Sequence, residues 1–183
     1  MATVVSTHGT VTSGSRIRAH VALAKPRIVE LLLATAIPTT FLAAGGLPPL
    51  DVVLAVLVGG TLAAGSANTF NSVYDRDIDA VMRRTVHRPA AMGIVSVRAG
   101  LIQGVVLGVL SFVVLVLWAN LLSGLLGVLA ILFYAVGYTM VLKRRTSQNI
   151  VCGGAAGCMP VLIAWTAVTN SLAWAPVILF MVV

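Results

Sequence analysis

Three of the chain's five acidic residues, Asp75, Asp77 and Asp79, fall within five positions of one another in the stretch NSVYDRDID. With Asn71 they give Asn-x-x-x-Asp-x-x-x-Asp. On a helix, residues four apart advance by only about 40° around the axis, so Asn71, Asp75 and Asp79 share a stripe about 80° wide. Asn68 would extend that stripe by a turn. Two carboxylates and an amide oxygen are hard donors. They suit a magnesium ion, which keeps several waters and is commonly shared with substrate phosphates. Asn71, Asp75 and Asp79 are therefore the candidate catalytic and metal-ligating residues. Asp77 lies about 200° from Asp75 on the same helix and is expected to be a structural charge paired with an arginine. The plainer alternative is a solvated acidic helix end balanced by Arg76, Arg83 and Arg84.

Cations sit close by. In MRRTVHRP, residues 82–89, Arg84 and Arg88 are four apart and a proline follows. A second group, Lys143-Arg144-Arg145, precedes Thr146, and Lys25 stands before Pro26. Guanidinium groups match phosphate oxygens in bidentate fashion. Alone, such groups serve as topology anchors. Opposite a magnesium–carboxylate stripe, Arg84, Arg88, Lys143 and Arg144 become candidate diphosphate contacts, with Lys25 able to join them. Metal and cations together would neutralise an anionic leaving group.

The elements that must position these residues are set by composition. Of 183 residues, 59% are hydrophobic and only 9% charged, and the mean hydropathy is +1.04. Soluble globular chains carry about a quarter charged residues, so a soluble fold, disorder and a disulfide scaffold are excluded. The net charge of +7 does not point to nucleic acid, because little water-facing surface remains to carry a basic patch. Charge-free runs cover residues 31–50, 52–74, 99–142 and 146–183. One crossing takes about 20 apolar residues, so the third run is two helices, divided near Trp118-Ala119-Asn120. The fourth divides at Asn170-Ser171, leaving a span over about 150–169 and a 12-residue remainder too short to cross. The expected fold is an all-α polytopic transmembrane bundle: five complete spans and the start of a sixth, in a chain that reads as truncated at its C-terminus.

All 12 lysines and arginines lie before the first span, between the second and third, or between the fourth and fifth. In this topology those segments share one side, which the positive-inside rule assigns to the cytoplasm of a plasma-membrane protein. Residues 1–20 are expected to form a flexible cytoplasmic tail, without the apolar core of a signal peptide, and residues 21–183 the membrane domain. Cys152 and Cys158, six apart in an apolar run, fit neither a Cys-x-x-Cys site nor a disulfide framework. The pairs Gly104/Gly108 and Gly153/Gly157 suit close helix packing, although the second could instead leave room for a flat ring. His8, His20 and His87 are not assigned as ligands. Tyr134 and Tyr138 share a face, as core or as cavity lining. Glu30 is costly if buried and is expected to pair with Lys25 or Arg27.

NSVYDRDID followed by MRRTVHRP resembles the first aspartate-rich motif of the intramembrane prenyltransferases, the UbiA superfamily. ALAKPRIVELLLATAIPT and NIVCGGAAGCMPVLIAWTAVT resemble its branch that farnesylates haem. The resemblance covers most of the chain from about residue 20. It implies nine helices in the full-length fold around a central cavity, with Mg2+ as cofactor. It further implies farnesyl diphosphate as donor, protohaem IX as acceptor, surrounding membrane lipid, and a haem O product. The family's second aspartate-rich motif, expected beyond the sixth helix, is absent, so the chain alone is not expected to be a complete catalyst. A sister enzyme that prenylates an aromatic quinone precursor shares the diphosphate motif. A membrane transporter is the alternative from another class, set against an acidic stripe confined to one membrane face.

Overall fold

The computed structural model describes residues 13–146 and 148–183. The described residues form helices and no strand: α1 (Ser13–Ala24), α2 (Pro26–Ala44), α3 (Leu50–Tyr74), α4 (Arg76–Val81), α5 (Val97–Trp118), α6 (Leu121–Leu142), α7 (Asn149–Thr169) and α8 (Trp174–Val182). Five of them, α2, α3, α5, α6 and α7, are long and apolar enough to cross a membrane. In hydrocarbon every backbone polar group must be satisfied within the segment, and a helix does this.

Local chemistry sets the boundaries. Pro26 opens α2 at a position where a missing N–H costs nothing. Gly45 closes the helix in the left-handed region at φ 65°, which a residue without a Cβ adopts freely. The first span thus begins at Pro26 and ends at Ala44, several residues before the 31–50 run suggests, and takes Arg27 and Glu30 into its first turns. Asn120 caps α6, its side chain accepting from the Ser123 amide at 2.9 Å, and Asn170 ends α7 at φ 50°. Both interruptions fall where the turn formers predict. At nine residues α8 is too short to span. Of the tail expected over residues 1–20, residues 1–12, with His8, lie outside the described residues, whereas residues 13–20 belong to α1.

Spans α2, α3, α6 and α7 make a ring, each packed on its neighbours, with α5 laid outside against α3 and α6. Between lipid-exposed helices the attraction is close contact rather than water exclusion, so small residues sit at the seams. Gly104 lies under the Phe70 ring, where an added Cβ would come within 2.8 Å. Gly59 faces Leu115, which is fully buried. Serine hydroxyls cross the α3–α5 seam to backbone oxygens: Ser66 donates to Gly104 at 2.7 Å and Ser111 to Gly59 at 2.7 Å. Two spans widen into π-helical turns, at Ala55–Gly59 in α3 and Phe133–Leu142 in α6.

The glycines of α7 are not all packed alike. A Cβ on Gly153 would come within 2.9 Å of the Tyr138 ring, whereas one on Gly157 would meet nothing within 4 Å. Gly59→Ala is therefore expected to lower thermal stability in detergent by about 1–3 kcal/mol, the usual cost of overpacking. Gly157→Ala should be neutral or slightly stabilising, since alanine favours helix. Equal losses from the two would contradict this packing.

Candidate active site

The stripe survives the end of a helix. Helix α3 stops at Tyr74 and α4 starts at Arg76, with Asp75 between them at φ −83° and ψ 3°. The amide of Asp75 still donates to Asn71 O at 3.0 Å, and that of Asp79 to Asp75 O at 2.8 Å. The four-residue register is kept across the joint. Asn71, Asp75 and Asp79 are all buried, while Asp77 is exposed.

Each stripe residue meets a cation from a different part of the chain. Lys143, at the end of α6, donates to Asp75 Oδ2. Arg88, from the loop after α4, gives Nη1 to both oxygens of Asp79, at 2.7 and 3.0 Å. Lys25, between α1 and α2, donates Nζ to Asn71 Oδ1 at 2.5 Å. The amide of Asn71 then links the set, its Nδ2 donating to Asp75 Oδ2 at 2.8 Å and to Thr139 Oγ1 at 3.2 Å. Thr85, also buried, donates to the Asp79 carbonyl at 3.2 Å and fixes the loop that carries Arg88.

Charge is unbalanced here. Lys25, Arg88 and Lys143 face only Asp75 and Asp79, so one positive charge is left over. Burial pushes the Lys25 ammonium down to about 8, helped by Arg88 and Lys143 and opposed by the two carboxylates. An excess of positive charge of this kind attracts anions. Asp75 Oδ1 is buried and has no hydrogen-bond partner among the described residues, which is costly unless something else coordinates it. A hard cation is suited to that oxygen. Among the described residues no group of three or more His, Cys, Asp and Glu side chains is placed to hold a metal ion by itself, so a metal held here would take further oxygens from a bound ligand. Asp75, Asn71 and Asp79 fit that role.

The remaining candidates lie outside the cluster. Arg144 donates to Asp77 at 2.8 and 3.1 Å and to the Tyr74 carbonyl at 3.2 Å, with its guanidinium 4.6 Å from the Tyr74 ring centre. This hydrogen bond holds the Asp77 carboxyl below its ordinary value. Arg84 is exposed and pairs with none of the described residues. Glu30 is exposed and forms no ion pair with Lys25 or Arg27, because at the end of a span it faces outward rather than into the bundle. Thr139 was not among the sequence candidates. Its signal was a hydroxyl four residues before Lys143, on the same side of a charge-free span.

Beside the cluster lies an apolar cavity of about 220 Å³ at the centre of the α2–α3–α6–α7 ring. Asn68 and Tyr134 line it, as do Gly153, Gly157 and Pro160. Asn68 stands one turn from Asn71, and the Tyr134 carbonyl accepts from Thr139. Polar cluster and apolar chamber thus share α3 and α6.

Residues 32–183 match the family model described as the UbiA prenyltransferase family. The chain belongs to the UbiA prenyltransferase family. Among curated relatives, it is 55% identical over 169 residues to the "Protoheme IX farnesyltransferase" of Renibacterium salmoninarum, covering 92% of this chain and 53% of that protein. The protein of the same name from Kineococcus radiotolerans is 59% identical over 168 residues, 92% of this chain and 50% of the relative. For the Streptomyces avermitilis protein of that name the identity is 55% over 182 residues, 100% and 60% of the two chains. The chain spans between half and three-fifths of the length of these relatives. No solved structure matches it. As a UbiA family member with five such spans it is a multi-pass membrane protein.

The electrostatics of this cluster can be checked directly. With a neutral acylating reagent, Lys25 is expected to gain reactivity as the pH passes about 8, because the amine sheds its proton there. An onset near the ordinary lysine value of about 10.4 would contradict the burial and the crowding of cations.

Proposed function

We propose that this chain forms the donor half of an enzyme that transfers a farnesyl group from farnesyl diphosphate to a vinyl group of protohaem IX, giving haem O and diphosphate. The observation that carries the reading is the positively biased cluster beside an apolar chamber on the same two helices, one group for each end of a prenyl diphosphate. Family membership and the names of the relatives support it.

Lys25, Arg88 and Lys143 would turn from Asn71, Asp79 and Asp75 toward the diphosphate oxygens, exchanging one charge-assisted bond for another. The carboxylates so released, with Asn71 Oδ1 and the unpartnered Asp75 Oδ1, would hold Mg2+. When bound, that ion offsets the charge developing on the departing diphosphate. The cavity wall excludes water from the allylic carbon, so the vinyl double bond attacks it and the carbon–oxygen bond to diphosphate breaks. One water then adds to the cation left on the former vinyl group and loses a proton, giving the hydroxyethylfarnesyl group of haem O. No nucleophilic side chain is required, since the leaving group is already activated.

Arg84 and Arg144 serve as outer contacts for the same anion. The basic ends of the spans face the cytoplasm of the plasma membrane by the positive-inside rule, which brings the donor in from that side. The curated relatives are about twice as long, and segments such as theirs would complete the catalyst.

Two measurements on the full-length protein test the reading. Asp75→Asn and Asp79→Asn should each lower farnesyl transfer by about 100-fold or more, the scale of losing one preorganised electrostatic contact. Asp77→Asn, at an exposed ion pair, should do far less. Gly157→Leu, which projects into open space, should retain farnesyl diphosphate binding and lose conversion of protohaem. Loss of both together would make Gly157 a folding residue. Conversion of 4-hydroxybenzoate but not protohaem by the unaltered protein would replace haem with an aromatic acceptor.

A further inference from the structure

The approach of Lys25 to Asn71 has an origin outside the stripe. Helix α1 ends at Ala24, and its last carbonyls have no intrahelical partners. Two side chains of one other span take a pair of them. Asn68 donates to the Ala24 carbonyl at 3.2 Å and Ser72 to that of Leu23 at 3.3 Å, both from α3. From α5, Gln103 Nε2 donates to the His20 carbonyl at 3.0 Å. Gln103 Oε1 lies 2.6 Å from His20 Nδ1. An amide oxygen only accepts, so the His20 proton sits on Nδ1. The next residue, Lys25, is held in the left-handed region at φ 54° and ψ 67°. A side chain with a Cβ adopts that conformation only where the surroundings over-determine it, and Pro26 behind it disfavours the ordinary helical alternative.

We propose that Gln103, His20 and Ser72 are positioning residues for Lys25: they clamp the last turn of α1 and so hold the Lys25 amine over Asn71 for the donor diphosphate. This rests on the diphosphate reading of the site. Gln103 is a polar side chain in the first third of an apolar span, where such a group is costly unless paired. Its pairing to both the ring and the carbonyl of one residue gives α1 a fixed rotation as well as a fixed height. Without the clamp, the residue before Pro26 relaxes toward extended backbone, and its side chain swings away from α3.

A thermodynamic cycle on the full-length protein with inorganic pyrophosphate as probe separates positioning from mere structure. Gln103→Leu is expected to weaken pyrophosphate binding about fivefold when Lys25 is present, the worth of about one net hydrogen bond. In a Lys25→Ala background the same change should cost less than about twofold, because the two act on one contact. The same loss in both backgrounds would overturn the proposal. So would pyrophosphate binding that Asp75→Asn weakens and Lys25→Ala does not. Should Gln103→Leu fail to fold, Ser72→Ala, which removes only the bond to Leu23, takes its place in the cycle. If neither Asp75→Asn nor Lys25→Ala changes pyrophosphate binding, the diphosphate reading itself fails. Hydrogen exchange then decides the clamp alone: Gln103→Leu should speed exchange at the amides of residues 21–25, and unchanged exchange overturns it.

Discussion

Three cations share two carboxylates and one amide in a buried corner of the bundle, and the rest of the structure is arranged around that imbalance. Lys25, Arg88 and Lys143 come from the α1–α2 joint, the loop after α4 and the end of α6. Like charges brought together in a poorly solvated place repel strongly, and only the stripe on α3 and α4 holds them. Asn71 has a particular part in this. It presents its oxygen to an ammonium and its amide to a carboxylate, so one side chain couples Lys25 to Asp75. An aspartate there would balance the charge and remove the bias toward an anion.

The same arrangement explains the division of labour among small and polar residues. At the α3–α5 seam, Gly59 and Gly104 are filled to contact by Leu115 and Phe70, and Ser66 and Ser111 lock the two backbones together. At the ring's centre, Gly157 faces nothing and leaves the chamber open. Rigid outer packing and a hollow interior are complementary. A cavity among membrane helices persists only where its walls are held from behind.

Much of this was legible in the sequence. The four-residue spacing of Asn71, Asp75 and Asp79 put them on one buried face, and Asp77 pointed away to an arginine as its angular offset required. Span number and the breaks at Asn120 and Asn170 followed from charge-free length and turn chemistry. What could not be read was the choice of partner for each cation. Arg88 rather than Arg84 meets Asp79, and Lys143 rather than Arg144 meets Asp75, because the loop path and the widened turns of α6 decide it. The charge-free run to residue 50 also overshoots the end of α2: such runs locate hydrocarbon, whereas helices begin and end at residues such as Pro26 and Gly45. The helical state of residues 13–24 has no strong local signal, because it depends on carbonyl partners far away in sequence.

The central claim is that stripe and cations form one site for a metal-bound diphosphate. Two ligands that share a site and bridge each other must strengthen each other's binding by equal factors. Titration calorimetry of pyrophosphate into the full-length protein, at increasing magnesium, tests this most directly. The account predicts that pyrophosphate affinity rises with magnesium, that magnesium affinity rises with pyrophosphate by the same factor, and that Asp75→Asn abolishes the coupling. Pyrophosphate affinity that is the same in magnesium and in EDTA would contradict it.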